Sequence, residues 1–278
     1  MNARPAHDPG GVNELRRRIT AAAAAQSSTV KRLQSLVSNV VLAQMLPPSA
    51  VKGGTGLKLR LGDAMTRQTP DLDTAFRGDR SAFLAELSAN LRTGWGEFTG
   101  TVTEGGPRPP AGVPTAYVVQ PYVVKLLFHG RPFATVAVEV GYDELEATTN
   151  EPPELALSPE VCDLFAQLGL AVPDPVAVLP LHHQIAQKLH ACTEPGNERA
   201  HDLVDLQLMV PLADGARVAD TVRRLFIFRR QHPWPAAVSP GPTWATLYAN
   251  AAEGLDVIPD LAGAVTWTNN CIVSLADS

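Results

Sequence analysis

The chain has 278 residues, 45% hydrophobic and 18% charged, with a net charge of −5. That balance describes a globular protein with a sizeable core, one large domain or two modest ones, and excludes a disordered or fibrous chain. It also excludes a general attraction to nucleic acid, so any polyanion has to be held by a local patch.

Three cysteines, Cys162, Cys192 and Cys271, lie far apart. Their spacing fits neither a zinc site nor a disulfide framework, so they read as buried thiols of a cytoplasmic protein. Arg16-Arg17-Arg18 followed by Ala21 to Ala25 has the order of a signal peptide. Its apolar run is too short, and Lys31-Arg32 follows at once. No stretch approaches the ~18 apolar residues of a membrane span.

Residues 1–11 read as a tail, given Pro5, Pro9, Gly10 and Gly11. From about Val12 to Met45 the pattern is helical. Leu33, Leu36, Val37, Val40, Val41 and Met45 recur at three- and four-residue steps, and Pro47-Pro48 stops the helix. Ala50 to Lys52 reads as a short strand feeding a turn of Gly53, Gly54 and Thr55. Thr55 is expected to cap a short helix to about Leu61, and Gly62-Asp63 breaks it.

Asp71 to Phe76 reads as a strand, Ser81 to Leu91 as a helix, and Thr99 to Thr103 as a strand. Gly105 to Pro114 is a proline- and glycine-rich loop. Tyr117 to Phe128 and Phe133 to Val140 are β-rich runs joined by His129-Gly130-Arg131-Pro132, a hairpin signal. A linker with Pro152, Pro153 and Pro159 precedes a mainly helical second half. Its clearest helices are Leu181 to Ala191, Arg199 to Val210, and Asp214 to Arg230. Pro233 to Pro242 is a break, and Thr243 to Ala276 is helical. This gives two parts, 1–150 and 151–278.

The chemistry concentrates between Lys52 and Phe76. On a strand, Asp71 and Asp73 point to the same face, with Cα atoms about 6.6 Å apart. Such a pair brackets divalent cations, and magnesium favours a few carboxylates plus phosphate oxygens. The Gly53-Gly54-Thr55 turn lets backbone N–H groups approach a phosphate without a side-chain clash. Along 133–140 the even positions Ala134, Val136, Val138 and Val140 form an apolar face, so Glu139 points the other way. Glu139 is a third acid if its strand pairs near Asp71 and Asp73. Otherwise it is an ordinary solvent-facing residue.

The turn, the DxD strand and the later acidic strand resemble the nucleotidyltransferase fold of polymerase-β type. QIAQKLHA at 184–191 and ERAHDLVDL at 198–206 narrow this. The chain resembles the AbiEii-like nucleotidyltransferase toxins, which include the MenT-type toxins. The resemblance covers about Lys52 to Val210. It implies an α/β (α+β) fold, a nucleotidyltransferase core with a mixed sheet flanked by helices, plus a C-terminal helical lobe closing over the nucleotide.

Gly54 and Thr55 match the family's Gly-Ser turn, Asp71 and Asp73 its DxD, Lys188 its helix lysine, and Asp202 and Asp205 its last two acids. Thr55 replaces a serine and His201 replaces a lysine. The resemblance implies that Asp71, Asp73 and Glu139 hold Mg2+, with two ions beside a bound NTP. It gives Lys188 to the β/γ phosphates and Asp202 to Lys188 or a ribose hydroxyl. An ion pair with Arg199 explains Asp202 equally. From their places near the turn and the DxD, Lys52 and Arg67 either touch phosphate or merely balance the acids, and Thr69 faces the same pocket; Gly53 and Asp205 join the nucleotide-binding set.

The implied activity is transfer of NMP from an NTP to an acceptor hydroxyl, the 3′ end of tRNA, by a toxin with a cognate antitoxin. The alternatives are a small-molecule, antibiotic-type nucleotidyltransferase and a degenerate nucleotide-binding module. Two basic clusters, Arg16–Arg18 with Lys31-Arg32, and Arg223, Arg224, Arg229 and Arg230, read as solvated helix faces or as RNA contacts. His182, His183 and His190 lack a metal-ligand pattern, and His190 reads as a helix-surface or packing residue.

Overall fold

The computed structural model describes residues 8–106, 118–148, 151 and 154–278. The tail up to residue 7, most of the 105–114 loop, Tyr117 and the Pro152-Pro153 linker lie outside the described residues. The chain divides into two compact units. The first comprises the described residues within Met1–Asp63, Gln68–Asp143 and Glu151–Val178. The second comprises those within Ala64–Arg67, Glu144–Asn150 and Leu179–Ser278.

The first unit opens with two helices, α1 (Val12–Ala25) and α2 (Val30–Ala43). The sequence pattern read these as one helix. The break falls in Gln26-Ser27-Ser28-Thr29, where short polar side chains compete for the backbone. Ser27 takes a left-handed φ of 51°. Thr29 then caps α2, accepting from the Arg32 N–H at 3.1 Å.

A short strand, β1 (Ala50–Lys52), runs straight into α3 (Gly53–Leu61). Next come β2 (Leu72–Phe76), α4 (Arg80–Thr93), β3 (Phe98–Glu104), β4 (Gln120–Phe128) and β5 (Arg131–Tyr142). β6 (Glu154–Ala156), α5 (Pro159–Leu168) and β7 (Val176–Val178) complete the unit. The β4–β5 turn is only His129-Gly130, both left-handed at φ 47° and 71°, as a tight two-residue hairpin requires. Arg131 and Pro132, expected in the turn, pair within the ladder.

The strands form one mixed sheet in the order β3-β4-β5-β2-β1-β7-β6. β2–β5 and β1–β7 are parallel; the other neighbours are antiparallel. One buried cluster joins α1, α2, α4 and α5 to the sheet face bearing Val51, Leu72, Tyr122, Val124, Val136, Val138 and Val140. Alternation along each strand therefore sends Asp73 and Glu139 to the opposite face. The mixed α/β class with a helix-flanked sheet is the one the sequence implied.

The second unit is helical: α6 (Leu181–Thr193), α7 (Ala200–Met209), α8 (Gly215–Arg229), α9 (Trp244–Ala252) and α10 (Leu261–Ala276). Asp214 and Asp260 cap α8 and α10 with their carboxylates. The three expected helices of this half end within two residues of their expected bounds. The described cysteines are free; Cys192 is buried, but Cys162 and Cys271 are only half-buried, not buried as expected. Among the described residues no helix is long and apolar enough to cross a membrane.

Candidate active site

Lys52 ends β1, and the helix α3 begins at the next residue. Gly53, Gly54 and Thr55 therefore form a first helical turn, not a separate hairpin turn. The first N–H groups of any helix lack intrahelical partners, and this N-terminus has no side-chain cap. It is the kind of place where an anion binds. Both glycines are needed. Gly53 has φ +62°, and a Cβ there would lie 2.2 Å from Asp73 Oδ2. A Cβ on Gly54 would lie 2.8 Å from the Cβ of Thr69, itself buried.

Thr55 does not cap the helix, as expected from the sequence. It sits inside the first turn, buried, and its hydroxyl donates to the Asp71 carbonyl at 2.8 Å. Asn39 on α2 donates through Nδ2 to Thr55 Oγ1 at 3.0 Å and to the Asp71 carbonyl at 3.2 Å. The far end of α3 is pinned too: Lys58 and Arg32 both pair with Asp63.

Two of the expected acids are neighbours on the sheet. Lys52 pairs with Asp73 across β1–β2, and Asp73 with Glu139 across β2–β5. Residues directly opposite share a face, so Lys52, Asp73 and Glu139 form one row, with adjacent strands about 4.8 Å apart. Asp71 lies one residue before β2 and is half-buried, like Asp73; Glu139 is exposed. Lys52 Nζ lies 3.1 Å from where a Cβ on Gly141 would be, so its ammonium rests over the bare backbone two residues past Glu139.

In the second unit, Lys188 on α6 donates to Asp202 Oδ1 at 2.6 Å and to Asp205 Oδ2 at 2.7 Å. Arg67 reaches both oxygens of Asp205, at 3.0 and 3.1 Å through Nε and at 3.0 Å through Nη2. Asp202 and Asp205 lie one turn apart on α7, on one face. Arg199 Nε stands 3.1 Å from Asp202 Oδ2, an ionic contact without good hydrogen-bond alignment, since that oxygen makes no hydrogen bond. Asp202 thus contacts both Lys188 and Arg199.

Burial alone would discharge these groups, but each keeps its charge through the others. Burial pulls the Lys188 ammonium down, yet Asp202 and Asp205 hold it above its usual range. Burial also pushes Asp205 up, and Lys188 and Arg67 bring it down to about 2. Burial lowers the neighbouring His201 to about 4, so it is neutral at pH 7. Arg67, Lys188 and Arg199 all contact these two carboxylates. Asp205, expected to meet the nucleotide, is fully buried and engaged by Arg67 and Lys188.

The basic clusters are largely spoken for. Arg229 bonds both oxygens of Glu144 at 2.7 Å, Arg223 donates to the Leu275 and Ala276 carbonyls, and Arg224 pairs with Asp220. Arg16 and Arg18 donate to the carbonyls of Pro132 and Leu168. His190 packs against Phe226 and His232, and burial lowers it to about 3; of its two readings, surface or packing, it is the packed one. Sequence reasoning missed Asn39. Its signal was a lone amide between Val37 and Val40 on an otherwise apolar helix face.

The model of the nucleotidyl transferase AbiEii toxin family, of type IV toxin–antitoxin systems, matches residues 33–262. The chain belongs to this family. Among curated proteins none matches it significantly. Among solved structures it resembles MenT4, a nucleotidyltransferase toxin from Mycobacterium tuberculosis H37Rv. The two are 16% identical, with a TM-score of 0.54 over 94% of this chain and 98% of that one. It also resembles JHP933 from Helicobacter pylori, 16% identical over 87% of this chain and 89% of that one, at a TM-score of 0.43. At such identities the likeness to MenT4 speaks to fold, and it agrees with the mixed sheet described above. Membership makes the chain a nucleotidyltransferase toxin by family.

Proposed function

We propose that this toxin transfers a nucleoside monophosphate from an NTP to an RNA hydroxyl, the 3′ end of tRNA, in an Mg2+-dependent reaction. The observation that carries the proposal is the pairing of Asp73 with Glu139 beside the bare helix start at Gly53. That donor set suits magnesium: hard carboxylate oxygens on adjacent strands, with space kept open by a residue that has no Cβ. Asp71, Asp73 and Glu139 would hold the ions, one or two of them. When bound there with the triphosphate, magnesium would offset the charge of the phosphates and of the departing pyrophosphate.

The chain's own groups do the rest. The free N–H groups opening α3 take phosphate oxygens, and Lys52 stands over the same face. Glu139, exposed at the end of the row, takes the proton of the acceptor hydroxyl. The acceptor oxygen bonds to the α-phosphorus, the α–β bridging bond breaks, and pyrophosphate leaves. The family resemblance alone gives Lys188 to the β and γ phosphates; within its own unit Asp202 and Asp205 hold the Lys188 ammonium. A cognate antitoxin would restrain this activity in the cell.

One observation favours a small-molecule acceptor instead: many of the clustered arginines are engaged inside the protein, and the net charge is −5. The test is incubation with each of the four α-labelled NTPs and total RNA. RNA labelled by the wild type and not by Asp73→Asn supports the proposal. Label confined to small molecules supports the second reading, and no label with any NTP refutes both.

A further inference from the structure

The two DxD acids are held by different means. Asp73 lies inside β2, with ladder partners on both sides, Lys52 and Glu139. Asp71 lies outside the strand, and neither ladder includes it. Its carbonyl is instead the meeting point of two donors, the Thr55 hydroxyl at 2.8 Å and Asn39 Nδ2 at 3.2 Å.

The proton count makes this arrangement directional. A threonine hydroxyl has one proton, and here it goes to Asp71, so the oxygen is left to accept from Asn39 Nδ2 at 3.0 Å. The two Asn39 amide protons serve Thr55 and Asp71. The flipped amide would set Oδ1 against the Asp71 carbonyl, two acceptors face to face. Asn39 is 1% exposed, and its Oδ1 has no hydrogen-bond partner. A buried acceptor left unpaired is costly. The amide's two donors are what that position offers in return.

We propose that Asn39 is a positioning residue: it joins α2 to the glycine-rich helix start and to the DxD segment, and so sets Asp71 for its metal. This rests on the proposed reading of Asp71 as an ion-holding acid. Groups that orient metal-holding side chains typically change metal affinity or activity by about 10- to 100-fold when removed.

The test is Mn2+ binding, followed by electron paramagnetic resonance with a non-hydrolysable NTP present, in wild type, Asn39→Leu, Thr55→Val and Asp71→Ala. Asn39→Leu keeps the branching and the number of heavy atoms and removes both donors. Thr55→Val removes the other leg and serves if the first variant does not fold. The expected result is Mn2+ affinity lowered about tenfold in both, with thermal unfolding near that of wild type, and transfer activity restored by excess divalent ion in Asn39→Leu but not in Asp71→Ala. A purely structural role would lower the melting temperature and leave Mn2+ affinity alone, which overturns the proposal. If wild type and Asp71→Ala bind Mn2+ equally, the reading of Asp71 fails, and the proposal with it. If only Asp71→Ala is impaired, the reading stands and Asn39 has no part in it.

Discussion

Gly53→Ala adds one methyl group, and the structure says where it goes. The new Cβ would lie 2.2 Å from Asp73 Oδ2, against an ordinary contact of 3.4 Å or more. The carboxylate oxygen or the backbone must therefore yield by about 1.2 Å. Alanine also has to hold φ +62°, which costs about 1–2 kcal/mol for a residue with a Cβ. That cost is survivable for a domain stable by about 5–15 kcal/mol. The displacement is not harmless, because misplacing a reacting group by about 1 Å costs on the order of a hundredfold in rate. Gly53→Ala is thus expected to fold, to melt a few degrees lower, and to lose about two orders of magnitude in pyrophosphate release. Steady-state kinetics and calorimetry on the same preparation measure both. Wild-type kcat in a folded Gly53→Ala would refute the claim that Asp73 acts from its observed position.

Lys188→Met leaves Asp202 and Asp205 buried with Arg199 and Arg67 as their remaining cations. Removing one partner of a buried pair costs about 3–5 kcal/mol, and the surviving arginines put this variant near 3, readable by urea unfolding. Adding Asp202→Leu should recover part of that loss, and an Asp202→Leu effect larger than that of Lys188→Met would contradict the view that Lys188 holds both acids. Acid should also weaken the fold. His190 stays neutral down to about 3 when folded but titrates near 6.5 when unfolded. Its contribution is therefore full above pH 6.5 and is lost as pH falls from there toward 3. Between pH 7.5 and 5.0 this amounts to about 2 kcal/mol, and His201, lowered to about 4, acts in the same direction. Asp205, lowered to about 2, adds its loss only below about pH 4. Urea unfolding that gives equal stability at pH 7.5 and 5.0 would refute the assignment of a neutral buried His190.

Local pattern carried much of the fold into view. Alternation marked β4 and β5, the run His129-Gly130-Arg131-Pro132 marked their connection, and three- and four-residue steps marked α2. What local pattern cannot state is long-range pairing. Glu139 had no assigned partner until β5 lay parallel to β2, across more than sixty residues, and only family likeness hinted at it. The same limit hid the meaning of Thr55. A hydroxyl after two glycines reads as a helix cap, but Asp71 and Asn39 claim it from 16 residues away on either side. It hid the fate of the arginines as well. A run such as Arg223-Arg224 looks free on a helix, while the carbonyls that end α10 lie 52 and 53 residues downstream.

The most direct measurement is anomalous diffraction from crystals grown with Mn2+ and a non-hydrolysable NTP. A peak about 2–2.5 Å from carboxylate oxygens of Asp73 and Glu139, with phosphates at the start of α3, is the predicted result. A nucleotide bound with its ion away from that acidic row would contradict the account.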